Sequence, residues 1–226
     1  MEYKDLTVII PTLNEEKNIS KLVGMIMWLY PGVSVTVSDD GSKDETRDLA
    51  KKAGARALDR TNKPIKGLCV SVMDAVKICK TKYFIVIDGD FQHPPEKIKD
   101  MYKELKKNQV VVGKRLKVMN DWPWHRKLMS KTAIAMGNFR LRKKEFKCSD
   151  VMSGFFGMQT RLFNEIVNQY EDRFEKTGYK VLFDALKYAP KNTKLAESGY
   201  EFGLREGGES KIGLKHILVY FRSIFK

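Results

Sequence analysis

Residues 83–90 read YFIVIDGD, five hydrophobic residues followed by two aspartates that are separated by one glycine. The hydrophobic run Tyr83–Ile87 has the length and composition of a buried β-strand. In an extended segment alternate side chains point the same way, so Asp88 and Asp90 can converge on one point. Two carboxylates that close repel each other, and a divalent cation relieves that repulsion. The sequence therefore predicts a strand that ends at a Mg²⁺ or Mn²⁺ site, although such pairs are also common in solvated turns.

Two earlier strand candidates also end in polar residues. Leu6–Ile10 is followed by PTLNE at residues 11–15, and Val33–Val37 leads into DDGS at residues 39–42. Helical patterns lie between the strands, and this alternation predicts an α/β fold with a mostly parallel, Rossmann-like sheet flanked by helices. Ligands of such sheets bind beyond the carboxyl ends of the strands. The three polar clusters are therefore expected at one edge of the sheet.

The second polar cluster supplies two candidate ligand contacts. Asp39 and Asp40 can accept hydrogen bonds from ribose hydroxyls or from the N–H groups of a base. Asn, Asp, Gly and Ser are also the usual turn residues, so a purely structural role is the alternative. The coincidence of three such clusters at three strand ends favours a binding site.

The rest of the chain is interpreted from its hydrophobic periodicity and helix-start signals. Further strands are expected at Arg56–Asp59, Gln109–Val112 and Met152–Met158. Helices are expected at Glu15–Tyr30, Asp44–Ala53, Gly67–Lys80, Glu96–Lys107, Trp122–Arg142, Arg161–Asn168 and Gly178–Tyr188. No linker divides these elements into two separate domains.

Residues 211–226 form a further predicted helix, and it is amphipathic. Its apolar residues recur at helical spacing, and its basic residues lie mainly on a different face: Leu214, Ile217, Leu218, Phe221, Ile224 and Phe225 against Lys211, Lys215, Arg222 and Lys226. Such a helix can lie in a membrane interface with its cations toward the headgroups. Packing of the same apolar face on the protein core is an equal alternative.

Composition restricts the class of partner. The chain of 226 residues carries a net charge of +14, and the excess is concentrated between Lys97 and Lys147, where 16 Lys/Arg against 4 Asp/Glu give +12. A basic block of this kind favours an anionic partner, namely nucleic acid, a phosphate-bearing substrate or acidic lipid. No apolar stretch approaches the roughly 20 residues of a membrane span, and no signal peptide is expected. Three cysteines without CxxC spacing fit a reducing compartment.

Several common site motifs are missing from the sequence. Neither GxGxxG after the first strand nor GxxxxGK[ST] occurs, which disfavours dinucleotide-binding dehydrogenases and P-loop enzymes. A GxSxG elbow is also absent. The histidines His93, His125 and His216 are too scattered for a catalytic triad or zinc cluster, although Gln92 or His93 can add a ligand to the predicted cation.

Together the motifs resemble a known family. PTLNE, DDGSKDET and DGDFQHPPE, each after a strand, are similar to the corresponding segments of family-2 glycosyltransferases of the GT-A fold. The resemblance extends through the second half to dolichol-phosphate mannose synthases within that family. The resemblance in the second half rests on four segments, GKR at 113–115, WHRKLMS at 124–130, SDVMSGF at 149–155 and REGGESK at 205–211. The match covers nearly the whole chain in order.

The resemblance implies a role for each matched position. Pro11, Asn14, Glu15 and Asp39, with Asp40 and Asp88 beside them, would surround the donor nucleotide. Asp88, Asp90 and Gln92 would bind Mg²⁺ or Mn²⁺. Arg115, Arg126, Ser130, Arg205 and Lys211 would hold the acceptor phosphate, and all of these but Lys211 would share the catalysis with Asp90. Gly89 stands where the family usually has Ala. Phe156 and Gln159 stand in a segment that the family often makes more basic, which affects acceptor recognition rather than the reaction.

The resemblance also implies a domain plan and a reaction. Residues 1–210 would form one GT-A domain, with a nucleotide-sugar half at 1–112 and an acceptor half at 113–210, followed by the interface helix at 211–226. The expected reaction is inverting transfer of a hexose, mannose from GDP-mannose, onto dolichyl or polyprenyl phosphate. The expected location is peripheral, on the cytoplasmic face of a membrane, where a separate membrane-embedded partner can take part.

Three alternatives stay open at this point. A family-2 transferase using UDP-glucose or a glycan acceptor would need a carboxylate base, for which Asp150 or Asp184 is available. A nucleic-acid-binding module would use the basic block and stack bases on Trp122, Trp124 and Phe139, but the acids at the strand ends would repel its ligand. A membrane-surface scaffold without catalysis is the third alternative.

Overall fold

The structure is a computed structural model that describes residues 2–118, 124–204, 219 and 222–224, with the backbone alone at 118 and 124–131. Its strands, in chain order, are β1 (Leu6–Thr12), β2 (Ser34–Asp39), β3 (Arg56–Asp59), β4 (Tyr83–Val86), β5 (Val110–Val118), β6 (Phe156–Gln159) and β7 (Leu195–Phe202). Its α-helices are α1 (Glu16–Leu29), α2 (Thr46–Lys52), α3 (Leu68–Lys77), α4 (Ile98–Leu105), α5 (Trp124–Leu141), α6 (Thr160–Tyr170) and α7 (Val181–Tyr188). Single 3₁₀ turns occur at Pro95–Lys97 and Glu171–Arg173.

One seven-stranded sheet holds the molecule together, in the order β3-β2-β1-β4-β6-β5-β7. β1, β2, β3 and β4 are parallel to one another, and β5 is parallel to β7. β6 lies between β4 and β5 and is antiparallel to both. The predicted mostly parallel sheet is therefore confirmed, with one reversed strand at its centre.

Both faces of the sheet are buried at β1 and β4, which explains why these strands are nearly continuous apolar runs. Ile9, Phe84 and Val86 pack on one side, in the cluster that includes α3, α6 and α7. Ile10, Ile85 and their neighbours pack on the other side, against α1 and α4. Successive residues of a strand point to opposite faces, so helices cover the sheet on both sides as predicted.

The structure departs from the predicted elements in its second half. β7 was not predicted, because Leu195–Phe202 reads LAESGYEF and lacks an apolar run. β5 continues six residues past the predicted end, Val112, to pair with β7. The strand predicted at Met152–Met158 begins only at Phe156, since residues 151–155 form turns and a loop. The mostly parallel α/β architecture is unaffected by these differences.

Three residues near the C-terminus show where that segment meets the fold. Residues 222–224 are helical, and Ser223 and Ile224 are buried, Ile224 within the core cluster of α5, α6 and α7. Lys187 on α7 donates from Nζ to the carbonyl of Ser223 (2.6 Å), and Arg140 on α5 donates to the carbonyl of Ile224 (3.1 Å). At this point the apolar face packs on the core. The remainder of the predicted helix 211–226, apart from Val219, lies outside the described residues.

Candidate active site

The sheet topology brings four chain segments to one edge. β1, β2 and β4 reach this edge with their carboxyl ends, which are aligned by the pairs Thr12–Asp39 and Ile9–Val86. Because β6 runs the opposite way, it reaches the same edge with its amino end, where Phe156 pairs with Val86. The 88–93 loop therefore meets residues 153–155.

The acidic loop lies at this edge with its two aspartates in different environments. Asp90 is 3% exposed, and its Oδ1 accepts a hydrogen bond from the N–H of Gln92 (3.0 Å), while the side chain of Asp88 is 33% exposed. The Gln92 amide nitrogen donates to the carbonyl of Gly203 (3.4 Å), which ties the loop to the segment after β7. Phe91 has a left-handed backbone (φ 60°) that turns the chain sharply between Asp90 and Gln92.

Two aspartates fit a cation that is completed by its substrate. Mg²⁺ is usually held by one or two carboxylates together with substrate phosphates. Within the described part of the chain, no cluster of three or more His, Cys, Asp or Glu residues could hold a metal by itself. Gly154 keeps the space beside Asp88 open, since a Cβ there would lie 3.3 and 3.4 Å from the two carboxylate oxygens. The residues present therefore suit an open Mg²⁺ or Mn²⁺ site.

Gly89, between the aspartates, tolerates the alanine that the family usually has. A Cβ at this position would meet Glu15 and Thr12 at 3.5 Å or more, which is ordinary van der Waals contact. The departure at Gly89 is therefore sterically neutral.

His93 supports the acidic loop from behind. It is 3% exposed, and its ring stacks on Phe155 with the centroids 5.3 Å apart. Its Nδ1 accepts a hydrogen bond from the backbone N–H of Asp88 (3.3 Å). Burial lowers the pKa of His93 to about 4, so the ring is neutral at pH 7. Since Nδ1 is used by the backbone, the geometry favours a structural role for His93 rather than metal ligation through that atom.

The loops after β1 and β2 are bonded to each other. Asn14 has a left-handed backbone (φ 54°), its N–H donates to Ser42 Oγ (2.8 Å), and its Oδ1 accepts from the N–H of Lys43 (2.9 Å). The N–H of Glu15 donates to Thr46 Oγ1 at the start of α2 (2.8 Å). Pro11 lies in β1 next to these residues, opposite Ser38 of β2. The five PTLNE residues are thus held rigidly beside the second polar cluster.

Asp39 organises the turn that follows β2. It is fully buried, and its Oδ1 accepts from the N–H groups of Gly41 (3.2 Å) and Ser42 (2.9 Å). Its Oδ2 accepts from the hydroxyls of Thr12 (3.2 Å) and Ser42. Both carboxylate oxygens of Asp39 therefore stabilise the turn, and these contacts fix the position of the loop.

Asp40 is held by a buried arginine that the sequence did not single out. Arg60 is 2% exposed and forms ion pairs with Asp40 and with Asp74 (2.9 Å). The N–H of Gly67 donates to the other oxygen of Asp40 (2.6 Å). Burial raises the pKa of Asp40, and the Gly67 bond and the charge of Arg60 oppose that rise. No sequence signal links Arg60 to partners that lie 14 and 20 residues away.

Arg115 lies at the same edge, in the part of β5 that was not predicted. Gly113 donates its N–H to the carbonyl of Phe155 (2.8 Å), which brings β5 next to Gly154 and the acidic loop. Arg115 grips Asp150 in a two-pronged pair, Nε to Oδ2 at 2.7 Å and Nη2 to Oδ1 at 3.1 Å. Desolvation opposes the charge of Arg115, but the Asp150 carboxylate prevails and raises its pKa. Arg115 is therefore a fixed cation beside the acidic loop.

The other acceptor candidates lie outside the described side chains. Arg126 and Ser130 belong to α5, of which the first eight residues are described by their backbone alone, and Arg205 and Lys211 fall outside the described residues. Asp184, one of two candidate bases, is buried on α7 and bonded to Lys187 (2.8 Å) and to the N–H of Glu175 (3.0 Å). The first candidate, Asp150, is the partner of Arg115.

Comparison with known proteins decides the family. The sequence profile described as Glycosyl transferase family 2 matches residues 7–167. This chain belongs to glycosyl transferase family 2. The predicted family and the GT-A fold are confirmed together.

Relatives within the family are similar over almost the whole chain. The dolichol-phosphate mannosyltransferase of Pyrococcus furiosus is 35% identical over 98% of this chain, which spans 63% of the length of that relative. The dolichol-phosphate mannosyltransferase of Saccharomyces cerevisiae is 29% identical, over 97% of this chain and 85% of its own length. The polyprenol monophosphomannose synthase of Mycolicibacterium smegmatis is 27% identical, over 93% and 82%.

Solved structures share the fold. Glucosyl-3-phosphoglycerate synthase from Mycobacterium tuberculosis, solved with Mn²⁺, UDP and phosphoglyceric acid, has a TM-score of 0.69 and 18% identity, over 98% of this chain and 76% of that one. The same enzyme solved with Mg²⁺ and UDP also has a TM-score of 0.69, at 18% identity over 98% and 78%. At this identity the likeness shows the fold alone.

Proposed function

We propose that this family-2 glycosyltransferase transfers mannose from GDP-mannose to dolichyl or polyprenyl phosphate. One observation carries the proposal. A chain that aligns over 98% of its length with a dolichol-phosphate mannosyltransferase places its acidic 88–92 loop beside the fixed cation Arg115, at the ligand-binding edge of the sheet. The 1–112 half supplies the donor site, and the 113–210 half supplies the acceptor site.

Donor binding rests on the polar loops. The backbone and side chains of Pro11, Asn14, Glu15, Asp39 and Asp40 form a pre-ordered floor for the nucleotide, because each is fixed by the contacts of its loop. Asp88 and Asp90, with Gln92 beside them, would hold Mg²⁺ or Mn²⁺. When bound, such a cation neutralises the charge that grows on the leaving diphosphate.

The acceptor explains why no strong base is needed. A phosphate monoester is largely dianionic at pH 7, so no proton has to be removed before it attacks. It attacks the anomeric carbon from the side opposite the leaving nucleoside diphosphate, which inverts the configuration. Arg115, Arg126, Ser130, Arg205 and Lys211 would orient it, and holding a nucleophile in line contributes several kcal/mol. A glycan acceptor would need a base, but Asp150 is gripped by Arg115 and Asp184 is bonded within α7. The arrangement therefore favours a phosphate acceptor.

A donor and acceptor screen tests the reaction. The full chain is incubated with Mn²⁺, a short polyprenyl phosphate and either GDP-mannose or UDP-glucose, and the released nucleoside diphosphate and the lipid product are measured. We expect mannosyl lipid and GDP. Transfer to free sugars but to no lipid phosphate would contradict the proposal, and a preference for UDP-glucose would replace its donor.

The acceptor places the reaction at a membrane surface, on the cytoplasmic side where nucleotide sugars are made. Among the described residues no helix is long and apolar enough to cross a bilayer. The basic block and the 211–226 segment would then contact acidic headgroups, with a membrane-embedded subunit as a further partner. Co-sedimentation with vesicles that contain acidic lipid, weakened by salt, is expected. Equal binding to neutral vesicles at all salt concentrations would contradict an electrostatic contact.

A further inference from the structure

Lys180 lies beside the proposed reaction centre, although no motif of the sequence points to it. It immediately precedes α7 and is partly buried. Its Nζ donates to the carbonyl of Met152 (2.5 Å), two residues before Gly154, which adjoins Asp88. The ammonium therefore lies behind the loop that faces the acidic residues.

The charges around Lys180 are those of the predicted site. Burial and the positive charge of Arg115 lower the pKa of Lys180 to about 8, and the carboxylates of Asp150 and Asp88 oppose the shift. The charges of Arg115, Asp150 and Asp88 therefore all act on Lys180, which remains mostly protonated at pH 7.

The two neighbouring cations differ in their partners. Arg115 is neutralised by its two-pronged pair with Asp150. No carboxylate oxygen of the described residues lies within 4.0 Å of Lys180 Nζ, whose described contacts are the Met152 carbonyl and the Tyr179 ring at 4.4 Å. An ammonium has three donors, and a desolvated charge without an ionic partner is costly. An anion bound at Lys180 would supply the ionic partner that this ammonium lacks.

A second buried donor lies in the same place. Tyr200 on β7 is 2% exposed, and its Oη has no hydrogen-bond partner among the described residues. Burial raises the pKa of Tyr200, and the charges that act on it are again those of Arg115, Asp150 and Asp88, with a smaller lowering by the Ser153 side chain. A buried hydroxyl without a partner usually marks a ligand or an ordered water. Tyr200 and Lys180 are thus two buried donors on which the same three charges act.

We propose that Lys180 binds a phosphoryl oxygen of the substrate, assisted by Tyr200, in the space between Arg115 and Asp88. The inference rests on the proposed function and adds a substrate-binding residue to it. Either the acceptor monophosphate or the donor diphosphate supplies the phosphoryl group, since both would lie between the acceptor cations and the acidic loop. The alternative is a purely structural lysine that only holds the Met152 carbonyl.

Charge and hydrogen bonding can be separated by substitution. Lys180→Met removes both, Lys180→Gln retains a donor for the Met152 carbonyl but no charge, and Lys180→Arg retains the charge. Lys176→Met is the matched control, because Lys176 lies in the same loop but pairs with Glu171 (3.0 Å). Tyr200→Phe removes only the hydroxyl. Urea unfolding of each variant separates loss of binding from loss of folding.

Two measurements identify the source of the phosphate. The Kd for GDP in the presence of Mn²⁺, measured by calorimetry, reports a contact with the donor diphosphate. The KM for a short polyprenyl phosphate reports a contact with the acceptor. In Lys180→Met and Lys180→Gln, either the Kd for GDP or the KM for polyprenyl phosphate should rise about 10-fold or more, as expected for a lost charge-assisted contact. Tyr200→Phe should raise the same constant by a smaller factor. Lys180→Arg should recover much of the loss, and Lys176→Met should change neither constant.

The inference fails if Lys180→Gln, stably folded, keeps both constants within about two-fold of wild type. The inference would also be overturned if Lys180→Met is defective while Lys180→Gln and Lys180→Arg are equally close to wild type. That result would show that Lys180 only holds the Met152 carbonyl. A wild-type chain that is inactive on every lipid phosphate would count against the proposed function alone. Lys180 would still be tested in that case, because calorimetry measures how Lys180→Gln changes the Kd for GDP and the Kd for a short lipid phosphate such as geranyl phosphate.

Discussion

At the scale of single residues, the site depends on groups that are held by other residues before any substrate arrives. Arg115 is fixed by Asp150, Asp39 by its own turn, and the Asp88 backbone by His93. The position of the acids at the edge of the sheet could be predicted, because three polar clusters follow three strands whose carboxyl ends meet there. The supporting contacts could not be predicted from the sequence, because Arg60, Lys180 and Tyr200 meet their partners only through the fold.

Arg115→Ala should affect the acceptor and the fold but spare the donor. Removing the guanidinium leaves Asp150, which is 4% exposed, without its ionic partner, so we expect a loss of about 3 kcal/mol in the free energy of unfolding. The KM for polyprenyl phosphate should rise while the Kd for GDP and Mn²⁺ stays unchanged. Steady-state kinetics, calorimetry and urea unfolding measure the three effects.

Arg161→Ala is the control for this substitution, because its salt bridge to Glu165 is exposed and should add little stability. An equal loss of donor affinity in Arg115→Ala would show that Arg115 belongs to the donor site.

His93 should make stability depend on pH below neutrality. Its pKa is about 4 in the folded protein against 6.5 in the unfolded chain, so between these values the unfolded state binds more protons. Stability is complete above pH 6.5 and falls as the pH decreases towards 4. The contribution of His93 amounts to a loss of about 2 kcal/mol between pH 7 and pH 5.

Urea unfolding of wild type and His93→Gln at the two pH values isolates this contribution from that of the carboxylates. The wild type should lose about 2 kcal/mol more than the variant. Parallel losses in the two proteins would show that His93 is not buried in its neutral form.

At the scale of elements, apolar runs identified the strands, but not their direction. β1 and β4 were predicted to within two residues because buried parallel strands are continuously apolar. β7 was missed, since only Tyr200 and Phe202 of its eight residues are buried. The reversal of β6 could not be predicted, because a strand has the same pattern in both directions. That reversal brings Gly154 to Asp88.

Gly157 is the position on which the insertion of β6 depends. A Cβ there would lie 2.8 Å from Ile85 and Leu105 side chains and 2.9 Å from the carbonyl of Phe84. Gly157→Ala should therefore separate β6 from β4 and cost about 1–3 kcal/mol or more in unfolding free energy. Urea unfolding tests this, with Gly89→Ala as the control expected to be neutral. Equal stability of the two variants would contradict the described packing.

At the scale of the whole molecule, the C-terminal segment joins the fold to its proposed membrane surface. The sequence left two uses for its apolar face, a membrane and the core. The buried positions of Ser223 and Ile224 favour the core at that end, and the buried Lys187–Asp184 pair supplies polar partners for Ser223. Hydrophobic spacing alone could not distinguish these uses, because both require the same pattern.

Ile224→Ala tests this packing. A buried isoleucine truncated to alanine should lower the free energy of unfolding by about 2–4 kcal/mol. Leu116→Ala is the control, since Leu116 is 67% exposed and should contribute little. Thermal and urea unfolding without lipid measure the effect. Unchanged stability of Ile224→Ala would show that Ile224 is not packed on the core in solution.

The most direct test of the proposed donor site is calorimetric titration of GDP into wild type and Asp90→Asn, with and without Mn²⁺. Asp90→Asn keeps an oxygen for the N–H of Gln92 but removes the charge, and Asp100→Asn, on the surface of α4 beside Lys97, is the control. We predict that Mn²⁺ strengthens GDP binding to wild type and Asp100→Asn but not to Asp90→Asn. The same Mn²⁺-dependent gain in Asp90→Asn would contradict a metal held by the acidic loop.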